Sequence, residues 1–264
     1  QAVGSCGRKW HRDGSPNLLL PHKTYGFRTR PNQGLDLKRD DLSSLGGDRT
    51  YPHDVNRFGQ VVGESATASD AHHAFRTAPN RPIDPVADDL GTLGGLISCA
   101  QAINDLGEVV GESTMPDAQS SRHAFRTAPN RPINPATDDL GTLGGRTSAA
   151  LAINNRGDVV GSAETKDEKF HAFLYTAGRM IDLNDLIDLG ETWYLQEARA
   201  INDLGQVLVV ARSNPQIQIG PPIARTFVLT PVADLRPLVV FAFGVVVTTS
   251  SFAINWSRRG RGLT

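Results

Sequence analysis

The string Ala102–Ser113, Ala-Ile-Asn-Asp-Leu-Gly-Glu-Val-Val-Gly-Glu-Ser, returns along the chain at nearly constant spacing. Val55-Asn56 with Gly59 and Val61-Val62-Gly63 precede it. Ala152-Ile153-Asn154 with Gly157 and Val159-Val160-Gly161 follow, and then Ala200-Ile201-Asn202 with Gly205 and Val207. The asparagines are spaced by 48, 50 and 48 residues (56 to 104, 104 to 154, 154 to 202). Such a period means that one small unit recurs. A unit of that size cannot bury its own apolar surface and must lean on its neighbours.

Each unit carries four short β-prone pieces separated by turn residues: His-Ala-Phe, Asp-Leu-Gly-Thr-Leu, Ala-Ile-Asn and Val-Val-Gly. The last two predict a hairpin. Asn104-Asp105-Leu106-Gly107 suits a type I turn closed by a left-handed glycine. This accounts for the return of Asn and Gly while the two residues between them vary. Gly94-Gly95 and Gly144-Gly145 mark a second tight connection, and Pro79, Pro82 and Pro85 make a loop between the first two pieces. No segment sustains a helical period. Four short strands in about 48 residues is the size of one propeller blade. The expectation is therefore an all-β chain, a β-propeller-like array of four-stranded repeats. It has four full units and one partial, in a ring that need not be complete.

The units begin at Tyr25-Gly26-Phe27, His73-Ala74-Phe75, His123-Ala124-Phe125 and His171-Ala172-Phe173. Residues 73–95 and 123–145 differ only at 84/134, 86/136 and 87/137, as after a recent duplication. The fourth unit has drifted: Ile187-Asp188-Leu189-Gly190 lacks the second glycine pair, and Val209-Val210 stands where glycine is expected. A partial fifth unit is read from Thr226–Leu229 and Ala253-Ile254-Asn255. These readings divide the chain into an irregular segment at 1–23, a β-repeat domain at 24–231 and a degenerate repeat or apolar tail with a basic end at 232–264. Leu238–Trp256 is uncharged and is followed by Arg258, Arg259 and Arg261, so it reads either as two strands or as a membrane or sorting tail. The chain starts at Gln1 with no leader-like segment, which suggests a removed leader or a fragment.

The balance of charge, formally −1 at pH 7, gives no electrostatic case for nucleic acid. Cys6 and Cys99 make no disulfide framework, and Cys99 stands where the next unit has Ala149, as a small buried residue would. His73, His123 and His171 recur at one position, but units arranged in a ring hold equivalent positions apart. Histidines paired within their own units fit better than a shared metal site. Asn104, Asp105 and Glu108 suggest a calcium loop, yet Asn154-Asn155-Arg156 breaks the acidic pattern and leaves a plain turn. A hydrolytic site could draw only on His11, Asp13, His22, His53 and Asp54, which form no recognised motif. Gly94-Gly95 opens no helix and is no phosphate cradle. No catalytic residue, metal site or cofactor is expected. The loops Arg76–Pro82 and Arg126–Pro132 are the places where binding would develop, and Arg81 and Arg131 there would favour anionic groups such as acidic sugars.

Together, the His-Ala-Phe, Asp-Leu-Gly-Thr-Leu-Gly-Gly and Ala-Ile-Asn-x-x-Gly-x-Val-Val-Gly strings resemble the HAF family of bacterial extracellular repeat proteins, over about residues 25–230. The resemblance implies export and a propeller-like array, and it carries no established reaction. Phe227–Val232 looks like the end of the last repeat in such proteins, although no Pro-Glu-Pro follows. The expected function is a non-catalytic binding or structural module, extracellular or on the cell surface, with an anionic polysaccharide or another surface protein as partner. The rivals are a hydrolase-type enzyme built on the non-repeated ends and a truncated fragment with no activity of its own.

Overall fold

A computed structural model describes residues 3–7, 24–36, 38–117, 119, 121–187, 189–214, 223–231 and 243–246. The described residues are all-β, with three sheets and no closed barrel among them. The strands are β1 (Val3–Gly7), β2 (Thr24–Arg28), β3 (Gly46–Val55), β4 (Val61–Thr67), β5 (His72–Arg76), β6 (Ser98–Ile103), β7 (Val109–Thr114) and β8 (Arg122–Arg126). They continue as β9 (Gly144–Ile153), β10 (Val159–Thr165), β11 (Phe170–Thr176), β12 (Arg179–Asp182), β13 (Trp193–Ile201), β14 (Val207–Ser213), β15 (Ala224–Pro231) and β16 (Phe243–Val246). Among the described residues one 3₁₀ turn, Leu183–Asp185, accompanies the strands. The sheet orders are β1-β2-β3-β4-β5, then β12-β11-β10-β9-β8-β7-β6, then β13-β14-β15-β16. Within them the antiparallel triplets β3-β4-β5, β6-β7-β8, β9-β10-β11 and β13-β14-β15 share one pattern. The β1-β2 pair joins the first triplet, and the second triplet joins the third, through single parallel pairs, Thr24 with Arg49 and Arg122 with Thr147.

The Asp-Leu-Gly-Thr-Leu piece, expected as a fourth strand, forms isolated bridges instead of a ladder: Asp41 with Phe27, Asp89 with Phe75 and Asp139 with Phe125, and at its other end Leu45 with Thr67 and Leu143 with Thr165. The reason is local. The Asp89 carboxylate accepts the Gly91 N–H, and Gly91 has φ +71°, so the backbone leaves the extended conformation at once. Among the described residues only β12 and β16 make a fourth strand. In the segment read as irregular, β1 pairs with β2 so that Val3 opposes Arg28 and Gly4 opposes Phe27. Val62-Gly63 opposes Arg76 and Phe75 in the same way.

The Val-Val dipeptides explain how the triplets stack. Adjacent strand residues point to opposite faces, so each valine of a pair serves a different neighbour. Val61 packs with Leu42, Leu45, Phe75 and Ile83, whereas Val62 packs with Ala74, Leu90, Val109 and Phe125. Val109 lies in that second cluster and Val110 in the next, with Ala150, Val159 and Phe173. Val160 then joins Leu195, Val207, Val209 and Phe227. The core is thus a series of clusters, each between two successive triplets. Burying each such valine contributes about 1.5–3 kcal/mol.

Glycine after the dipeptide is required by close approach. The first strand of each hairpin holds an extra residue, His53, Gln101 or Leu151, a β-bulge opposite the Val–Gly step. A Cβ on Gly63, Gly111 or Gly161 would lie 2.0, 1.9 or 2.0 Å from a main-chain oxygen of that strand. In the fourth triplet Val209 takes the position, and there β13 carries a second register shift, between Leu195 and Glu197.

Candidate functional site

The hairpin turns build the most distinctive surface. Gly107 N donates to Asn104 O at 3.1 Å, and Gly107 has φ +78°, as the turn chemistry requires. Asn104 Oδ1 accepts the N–H groups of Leu106 and Glu108, both at 3.0 Å. Its Nδ2 donates to Glu108 Oε2 at 2.6 Å, which leaves one amide hydrogen. That hydrogen leaves the unit: Asn104 Nδ2 donates to Asn154 O at 3.1 Å. Asn56 reaches Asn104 O and Asn154 reaches Asn202 O in the same manner, each at 3.2 Å. A second ladder runs beside the first. The N–H groups of Arg57, Asp105 and Asn155 donate to Oδ1 of Asp105, Asn155 and Asp203, at 3.2, 2.9 and 2.8 Å.

The two ladders draw four turns around one open concavity of about 350 Å³. Its walls are the triplets Val55-Asn56-Arg57, Ile103-Asn104-Asp105, Ile153-Asn154-Asn155 and Ile201-Asn202-Asp203. The asparagine amides are already engaged, so the residue after each asparagine supplies the polar surface. Asp105 Oδ2 lies 3.5 Å from Arg57 Nε, and Asp203 Oδ2 accepts Asn155 Nδ2 at 3.0 Å. The main-chain and side-chain N–H donors of Asn155 hold the Asp203 carboxyl below its usual range, so it is ionised at neutral pH.

The loops named from sequence lie at the same end. Asn80 N and Asn130 N donate to Gly59 O and Gly107 O, both at 3.0 Å. Gln60 Nε2 donates to Asn130 Oδ1 at 3.0 Å, across 70 residues of chain. Arg81 and Arg131 are exposed. Their carbonyls accept from Arg28 Nη1 and Arg76 Nη1, at 3.2 and 3.0 Å, so the loop backbone is anchored while the Arg81 and Arg131 side chains face solvent. Arg28, Arg76 and Arg126 also reach the turn glycines Gly59, Gly107 and Gly157.

The other sequence candidates have structural partners. His73, His123 and His171 each donate Nδ1–H to a carboxylate, that of Asp89, Asp139 and Asp182, at 3.0, 2.9 and 2.6 Å, and they do not come together. Burial pushes the Asp139 and Asp182 carboxyls up. The hydrogen bonds from the histidines and from Gly141 and Asn184 outweigh it, and both end below the ordinary value. Among the described residues no three His, Cys, Asp or Glu side chains are placed to share a metal ion. His53 Nδ1 donates to Ala100 O at 2.7 Å, and Asp54 accepts the Val55 and Ile103 N–H groups, so both tie successive hairpins together. Cys99 is buried, and burial with Glu64 and Glu112 nearby pushes its thiol well up. His11, Asp13 and His22, Asp188, and Ala253-Ile254-Asn255 lie outside the described residues. Of the run Leu238–Trp256, Phe243–Val246 is strand β16 and the rest is outside them. No helix among the described residues is long and apolar enough to cross a membrane.

Fold and site together define an all-β chain of short antiparallel sheets in series, with a polar concavity at the end where its turns meet. The chain belongs to the family described as "Protein of unknown function (DUF3466)", whose model matches residues 87–219. No curated protein and no solved structure matches it.

Proposed function

We propose that this protein is a non-catalytic binding or structural module that works outside the bacterial cell, as a propeller-like array of repeated units. The supporting observation is the concavity: four turns, one from each triplet, bring the same backbone position to one polar surface. Function on repeat scaffolds develops on such surfaces and on the loops beside them. The serial core, in which each triplet is buried by the next, agrees with a propeller-like arrangement. The surface location rests on the likeness of the recurrent strings to HAF repeats. The exposed Arg81 and Arg131 suit anionic groups, so an acidic polysaccharide or an acidic surface protein is the proposed partner at the loops.

Calorimetry with polygalacturonate at low salt tests this reading. Binding that weakens in Arg81→Ala/Arg131→Ala and with added salt is expected. Release of new reducing ends during the titration would instead establish a hydrolase.

A further inference from the structure

We propose that the residue following each turn asparagine, Arg57, Asp105, Asn155 and Asp203, is the recognition position of the concavity, and that its ligand is a neutral, hydroxyl-rich molecule, a short carbohydrate. The inference rests on the binding-module reading and assigns a ligand class to a part of the surface that the loop arginines do not reach.

Geometry separates the roles of the turn residues. The asparagine cannot vary without breaking the ladder, because its carboxamide is committed to its own turn and to the next carbonyl. The second residue after it points out: Phe58, Leu106 and Leu204 are exposed beside the concavity. The first residue after it also lines the concavity; the ladder takes its main-chain N–H and, at 105, 155 and 203, asks of its side chain only an acceptor oxygen, so its charge and its second polar atom are free to vary. Its identity therefore sets what the concavity binds.

The chemistry at that position is rich in acceptors. Two carboxylates and a carboxamide face a single guanidinium, and the isoleucines between them supply apolar contact. Carboxylates accept strong hydrogen bonds from hydroxyl groups and repel anions. A polyol with apolar C–H faces satisfies both kinds of surface. The volume lies within the range of small-molecule sites.

The test is a printed array of neutral oligosaccharides probed with the whole chain, followed by titration of the best binder monitored through backbone amide resonances. The expected result is binding that shifts the Asp105, Asn155 and Asp203 amides. It should weaken at least tenfold in Asp105→Asn/Asp203→Asn. Asparagine keeps an acceptor for the ladder, and an unchanged melting temperature shows that the variant is folded. Binding of polygalacturonate through Arg81 and Arg131, with no neutral oligosaccharide bound, overturns this inference and leaves the module reading intact. Turnover of any oligosaccharide on the array overturns both.

Discussion

Asn104 donates its side-chain amide to the main-chain carbonyl of Asn154, fifty residues further along, at 3.1 Å. The same carboxamide closes its own turn through Leu106 and Glu108. One side chain thus joins local turn geometry to the stacking of units. The periodicity in the sequence is the trace of that double duty, because a residue that must serve both roles returns whenever the chain comes back to the ladder.

Replacing Asn104 with alanine removes the acceptor of the Leu106 and Glu108 N–H groups and one of the two donors to the Asn154 carbonyl, which keeps the Gly157 N–H. The expected loss in urea denaturation is about 2–4 kcal/mol, from several buried bonds at about 1 kcal/mol each. Asn202 is exposed, so Asn202→Ala is expected to cost less, by at least about 1 kcal/mol. Equal losses would mean that the ladder adds nothing to the turns.

Gly111 and Gly91 are both glycines, but for different reasons. A methyl group at 111 would sit 1.9 Å from the Cys99 carbonyl, and no rotamer relieves a clash with backbone. Gly111→Ala is expected to cost about 3 kcal/mol or more. At Gly91 nothing lies within 4 Å and only the positive φ resists, so Gly91→Ala should cost about 1–2 kcal/mol. Urea midpoints of the two variants check this order.

Acid should loosen the protein through Asp139 and Asp182. Their folded-state pKa values lie below the ordinary 3.8. A carboxyl depressed on folding contributes its stability above the unfolded value and loses it as pH falls through the folded value. Urea midpoints are therefore expected to drop below about pH 4, and the drop should be shallower in Asp139→Asn/Asp182→Asn. The same slope in the variant would show that the histidine–aspartate pairs are not the cause.

The thiol of Cys99 is buried beside acidic residues that disfavour its thiolate. In a Cys6→Ser background, reaction with an aromatic disulfide reagent should be about 100-fold slower in the native protein than in urea. Rapid native reaction would place Cys99 at the surface.

The asparagine spacing made the hairpins legible in the sequence, and the small size of the unit showed that it must lean on its neighbours; the division of each valine pair between two neighbours came from the structure. The fourth piece was not legible. Asp89 and Leu90 read as strand, and only the bond from Gly91 N to the Asp89 carboxylate ends the pairing after one residue. The concavity was equally hidden. Asp105 and Asp203 read as turn residues, and nothing local in Asn-Asp-Leu-Gly says that four such turns meet. That depends on the 3.1–3.2 Å bonds between units, which no single unit contains. Arg81 and Arg131 were legible as exposed loop residues, while the anchoring of their carbonyls by Arg28 and Arg76 was not.

Gln60 and Asn130 give the most direct measure of whether successive units are locked at their turns. Their side chains meet at 3.0 Å, although 70 residues separate them. In a double-mutant cycle of Gln60→Ala and Asn130→Ala, followed by urea denaturation, the expected coupling is about 0.5–1.5 kcal/mol. Strictly additive losses would contradict the placement of the second loop on the first turn, and with it the convergence of the turns on one surface.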